Sequence, residues 1–123
     1  MLLKKPTHKD LSNKIRQARK ALAEGKMVFV SPAVIAADAL ELEYEIGELP
    51  EILVDLLDRA TPDDYAGTSP PQQSYEDPIL KCELFAFNVK DSCLNCKVYL
   101  KFALKSETLW LVSFHKDRSG KGG

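Results

Sequence analysis

The chain has 123 residues, 45% of them hydrophobic and 28% charged, which is enough for one buried core and excludes disordered, collagen-like and low-complexity classes. No apolar run reaches the ~18 residues of a membrane span, the opening MLLKKP lacks the apolar stretch of a signal peptide, and three cysteines do not make a disulfide framework, so a reducing, cytoplasmic setting is expected. The net charge of −1 conceals a segregation: residues 1–27 hold eight Lys/Arg against two Asp/Glu, residues 28–80 one against twelve, and residues 81–123 eight against four. Blocks of this kind build either a basic face able to meet nucleic-acid phosphates or an ordinary solvated surface.

Thr7 and Asp10 have capping-box spacing, with Asp in place of the usual Glu or Gln. Leu11, Ile15, Ala18 and Leu22 follow at helical intervals, and Gly25 stands where such a helix should stop. The exposed side of this helix carries Lys14, Arg16, Arg19 and Lys20, and His8 reads as a surface residue. Residues 27–30 suit a short strand or a connector. Ser31-Pro32 is a helix opening, Ser at the N-cap and Pro at the first helical position, leading into an Ala-rich helix to about Leu40. A third helix is expected from about Leu49 to Asp58, with Leu49, Leu53, Leu56 and Leu57 as its buried stripe.

Residues 61–78, TPDDYAGTSPPQQSYEDP, contain four prolines and a glycine and form a loop. Loops of this length inside a domain tend to be functional, which makes Tyr65, Gln72, Gln73 and Tyr75 candidate ligand contacts. Strands are expected over residues 80–89, 98–104 and 109–114, and residues 119–123, SGKGG, read as a disordered tail. The fold class is therefore α+β: N-terminal helices packed on a small antiparallel C-terminal sheet, in one domain over residues 1–118.

The last two strands admit two registers. With Leu104 opposite Leu109, Trp110, Val112 and Phe114 share a face with Tyr99, Lys101 and Ala103. With Lys105 opposite Leu109 across a three-residue loop, Val98, Leu100, Phe102, Leu104, Trp110, Val112 and Phe114 all fall on one face. At roughly 1.5–3 kcal/mol per large buried side chain, the second register outweighs turn preference. It places Tyr99 opposite His115 and Lys101 opposite Ser113 on the other face, with beta carbons about 5 Å apart. A titratable imidazole, a phenol and a lysine suit metal-independent cleavage of RNA by attack of its 2′-hydroxyl on the adjacent phosphorus, which needs an acid, a base and cations. Tyr99, His115 and Lys101 are the candidate catalytic residues, and Lys97, Lys105, Lys116 and Arg118 the candidate RNA-binding ones.

The basic opening KKPTHKDL with its helix, and above all VYLKFAL (98–104) and LWLVSFHKD (109–117), resemble the motility quorum-sensing regulator (MqsR) toxins. Those are RelE-like mRNA interferases of bacterial toxin-antitoxin pairs. The resemblance spans residues 4–118 and is specific in the C-terminal hairpin. It implies an endoribonuclease toxin without a cofactor, acting on mRNA and held by a cognate antitoxin, itself expected to be a helix-turn-helix DNA-binding protein. The family's tyrosine carries over onto Tyr99; where its last lysine follows SF, this chain has His115 and then Lys116. The family's other lysine and its glutamine are not carried over: the proline-rich loop is longer here, and Cys82 stands where the glutamine is expected. The acidic middle of the chain also departs from the family's basic character.

Two other readings remain at this level. Cys93-Leu-Asn-Cys96 has metal-ligand spacing, and Cys82 and His115 could complete a zinc site. A non-catalytic binding module of toxin-like fold would use the charged surfaces to engage a protein partner.

Overall fold

The computed structural model describes residues 7–68, 71–90 and 97–116. Helix α1 (His8–Ala23) begins as its sequence dictates: the Thr7 hydroxyl accepts from the Asp10 amide at 3.0 Å, and the Asp10 carboxylate accepts from the Thr7 amide at 3.3 Å. It ends in a Schellman motif, with the Gly25 amide on the Leu22 carbonyl (3.0 Å), the Lys26 amide on the Ala21 carbonyl (2.8 Å) and Gly25 at φ +72°. That turn delivers the chain directly into β1 (Met27–Phe29). Helix α2 (Pro32–Glu41) has Pro32 in its first turn, but the Ser31 hydroxyl makes no capping bond. A 3₁₀ turn at Ile46–Glu48 precedes α3 (Leu49–Arg59), whose four stripe leucines are all fully buried.

Strands β2 (Phe85–Lys90), β3 (Lys97–Lys105) and β4 (Thr108–Lys116) complete a sheet of order β1-β4-β3-β2. The architecture is α+β, helices first. The sheet is mixed rather than purely antiparallel, because residues 27–29 are a strand that lies parallel to residues 109–111. All three helices lie on one face, over a core that joins Leu11, Ile15, Ala18, Ile35, Leu53 and Leu57 to Phe87, Leu100, Phe102 and Phe114.

Both candidate registers of the β3–β4 hairpin occur in the same hairpin. From Val98↔Lys116 to Lys101↔Ser113 the pairing is the one that sets Tyr99 against His115, whereas from Phe102↔Leu111 to Lys105↔Thr108 it is the alternative, with Leu104 opposite Leu109. A β-bulge at Val112 joins them, so the expectation of one uniform register is corrected. The physical reason is that the bulge lets Leu109 and Leu111 enter the main core together with Phe114, which no uniform alternation of β4 does. Trp110 and Val112, expected in the main core, lie on the opposite side of the sheet.

There they join a second, smaller cluster made by Ile79, Leu84 and Ala103 with Val30 and Cys82. The long loop builds this cover. Ser74 donates its amide to the Cys82 carbonyl, Leu84 to that of Gln72, and Ala66 to that of Ala86, which seals the outer edge of β2. The Lys105 ammonium donates to the Pro78 carbonyl at 2.5 Å and ties the cover to the turn end of β3. Half of the helix-free face is therefore capped and half is open.

The hairpin turn holds Ser106 and Glu107 at φ +53° and +61°, the type I′ geometry that favours Asn-Gly. Glu107 also meets Lys26 at 3.6 Å, an exposed pair of little weight. The double substitution Ser106→Asn, Glu107→Gly is expected to stabilise the fold by about 1 kcal/mol, read as a higher urea midpoint at unchanged slope.

Candidate functional site

Parity along the strands assigns the open half of the face. Residues facing the helices are Phe85, Phe87 and Val89 of β2 and Val98, Leu100 and Phe102 of β3, so Ala86, Asn88, Lys90, Lys97, Tyr99 and Lys101 point the other way. Register then stacks them in rows across the sheet: Lys90 with Lys97, Asn88 with Tyr99 and His115, and Ala86 with Lys101 and Ser113. Successive rows are about 7 Å apart. The next row, at Ala103, is already under the cap.

Tyr99 and His115 stack with ring centroids 4.9 Å apart and planes inclined by 19°. The His115 Nδ1 lies 2.8 Å from the Lys116 carbonyl oxygen; a carbonyl only accepts, so Nδ1 carries the hydrogen and Nε2 is left with its lone pair in the neutral ring. Burial raises the Tyr99 phenol above its usual range. Tyr65 is raised by burial first, then by Glu83 and by Tyr99, which puts a second phenol in electrostatic reach of the row. Tyr65 sits edge-on to Phe87 (5.8 Å, 72°), and its hydroxyl donates to the Thr68 carbonyl at 2.5 Å. Asn88 Oδ1 is buried with no hydrogen-bond partner among the described residues, a condition that costs about 1–3 kcal/mol.

The expected catalytic trio is thus brought together: Tyr99 and His115 share a row and Lys101 stands in the next. The expected RNA-binding set is divided. Lys97 is exposed one row beyond Tyr99. Lys116 pairs with Val98 and so takes the helix side of the sheet, away from the Tyr99 face. Lys105 is at the capped end, held by Pro78. Arg118 and the tail at residues 119–123 lie outside the described residues. Among the loop candidates, Gln73 bridges to Glu83 and Tyr75 is 86% exposed. His8 is a surface residue in contact with Asp63 at 3.2 Å. Asn88 and Lys90 were not singled out from sequence; the alternation FAFNVK contains the signal, but placing them beside Tyr99 needs the β2–β3 register.

Cys93 and Cys96 lie outside the described residues. Cys82 packs in the apolar cluster with Ile79, Leu84 and Ala103; Ala103 itself is four residues along β3 from Tyr99, about 13 Å. Among the described residues no cluster of three or more His, Cys, Asp or Glu side chains has metal-binding geometry, and no helix is long and apolar enough to cross a membrane.

Compared with protein-family models, curated proteins and solved structures, the chain matches none.

The raised Tyr99 pKa has a signed consequence. As pH rises through 10 the unfolded phenol ionises while the native one stays protonated, so stability present below pH 10 is lost on the alkaline side. Absorbance titration is expected to show a phenolate component forming above the usual range that Tyr99→Phe removes, and the wild-type melting temperature is expected to fall more steeply above pH 10 than that of Tyr99→Phe.

Proposed function

We propose that this chain is the toxin of a bacterial type II toxin-antitoxin pair, an mRNA interferase of the kind its C-terminal hairpin resembles, acting in the cytoplasm without a metal ion. The observation that carries the reading is the stacked Tyr99–His115 pair on the open sheet face with Lys101 one row away. In this reading the lone pair on His115 Nε2 takes the proton of a ribose 2′-hydroxyl, whose oxygen bonds to the adjacent phosphorus as the bond to the 5′-oxygen breaks. The Tyr99 phenol, held in its protonated form, supplies the proton to the departing 5′-oxygen, and Lys101 balances charge on the phosphorane. The products are a 2′,3′-cyclic phosphate and a 5′-hydroxyl. His115 where the resembled family has lysine fits this division of labour, since an imidazole with Nδ1 tied to a carbonyl is a ready base.

The charge distribution supports the same reading. The acidic run includes Asp38 and Glu41 of α2 and Glu51, Asp55 and Asp58 of α3, all in the helical layer, where Asp58 holds Arg19 of α1 at 2.9 Å. The open face beyond carries Lys90, Lys97 and Lys101, so a low overall pI and a basic RNA-facing surface coexist. The partners in this reading are mRNA and a cognate antitoxin, a helix-turn-helix protein that restrains the toxin.

Induced expression is expected to arrest bacterial growth. Purified protein is expected to cut single-stranded RNA in the presence of EDTA, leaving cyclic phosphate ends. His115→Ala and Tyr99→Phe should each slow cleavage by about 100-fold or more and relieve the arrest. Arrest undiminished by either change would remove these residues from the site, and folded protein that cuts no RNA would leave a binding module.

A further inference from the structure

Lys90 and Lys97 stand directly opposite each other at the ends of β2 and β3. Both are exposed, and neither has a carboxylate partner among the described residues. Like charges in directly opposed positions weaken a strand pair, so this arrangement costs the fold stability that no described side chain returns. Among the described residues Arg19, Arg59 and Lys26 meet carboxylates at 2.9–3.6 Å while other surface lysines do not; what sets Lys90 and Lys97 apart is that they stand directly opposed across a strand pair. The opposed pair lies on the open face, one row from Tyr99 and His115. Along β3 that face therefore reads cation, ring, cation, with Lys97, Tyr99 and Lys101 at steps of about 7 Å. Cations alternating with stacking rings form the kind of track that follows the backbone of an unpaired nucleic-acid strand.

We propose that Lys90 and Lys97 together form a phosphate subsite for a single RNA strand, holding the phosphate adjacent to the one on which Tyr99, His115 and Lys101 act. The proposal rests on the ribonuclease reading and extends it to a residue, Lys90, outside the catalytic row. Two ammonium groups offer only donors and charge, so the subsite fixes the position of the strand and reads no base. A bound phosphate also removes the repulsion between the lysines. Occupancy of the subsite and pairing of the strand ends therefore reinforce each other.

The test uses Lys90→Thr and Lys97→Thr, which keep a strand-compatible side chain. Without RNA, each is expected to raise the melting temperature by roughly 1–4 °C, the opposite of what loss of a structural contact does. Binding is then measured by fluorescence anisotropy with a labelled single-stranded oligoribonucleotide, in a His115→Ala background that prevents cutting. Each variant is expected to bind more weakly and to lower the slope of log affinity against log salt by about 0.7. A second oligonucleotide carries an uncharged methylphosphonate at the linkage next to the scissile one. Wild type should lose affinity for it, and the Lys90→Thr, Lys97→Thr double variant should lose little more. Unchanged salt slopes, or additive losses from methylphosphonate and lysine replacement, would overturn the subsite. A chain that cuts RNA while both variants bind as tightly as wild type keeps the ribonuclease reading and loses the subsite. A chain that binds RNA with the lysine-dependent slope but cuts none keeps the subsite and loses the ribonuclease reading; one that does neither loses both.

Discussion

One extra residue in β4 holds the rest of the molecule in agreement. The two-residue turn at Ser106-Glu107 and the core positions of Leu109 and Leu111 demand one pairing of the hairpin, while the Leu100–Phe114 contact and the Tyr99–His115 stack demand another, offset by one. Side-chain direction alternates residue by residue, so an offset of one exchanges the faces. Val112 absorbs the offset. Without the bulge, either Phe114 would leave the core and His115 would turn toward it, or Leu109 and Leu111 would give way to Trp110 and Val112, which would then leave the second cluster. The geometry of the ring pair is thus a by-product of core packing.

The sheet also separates two electrostatic environments. Acidic residues concentrate in the helical layer and are partly matched there by Arg19 of α1, while the lysines of the open face meet no carboxylate among the described residues. A residue-by-residue charge count cannot show this, because the net value averages two surfaces on opposite sides of the sheet. The capped half of the open face, closed by Ile79 and Leu84, confines the basic surface to the rows between Lys97 and Lys101.

Much of this could be read in advance where the signal is local. The capping box at Thr7, the stop at Gly25 and the leucine stripe of α3 each follow from a few neighbouring residues, and the structure reproduces them with shifts of a residue or so at the ends. The pairing of Tyr99 with His115 was also recoverable, because alternation alone constrains it near the open end of the hairpin. The bulge was not: each uniform register satisfied part of the pattern, and only a non-local balance of burial selects a mixture. The same holds for the cover over Ala103, which depends on a proline-rich segment whose own residues carry almost no apolar periodicity. Lys90 and Asn88 join the site through a cross-strand register, and Lys116 leaves it by one step of parity.

The parallel contact between β1 and β4 joins Met27 to Leu109, so the sheet closes only across more than eighty residues of intervening chain. Local hairpins form quickly and long closures slowly, which orders assembly: β3 and β4 can find each other first, and the amino-terminal strand docks onto them afterwards. During synthesis, the ring pair and its lysines cannot be assembled until β4 has left the ribosome. A chain interrupted before that point retains exposed helical stripes and has no finished face.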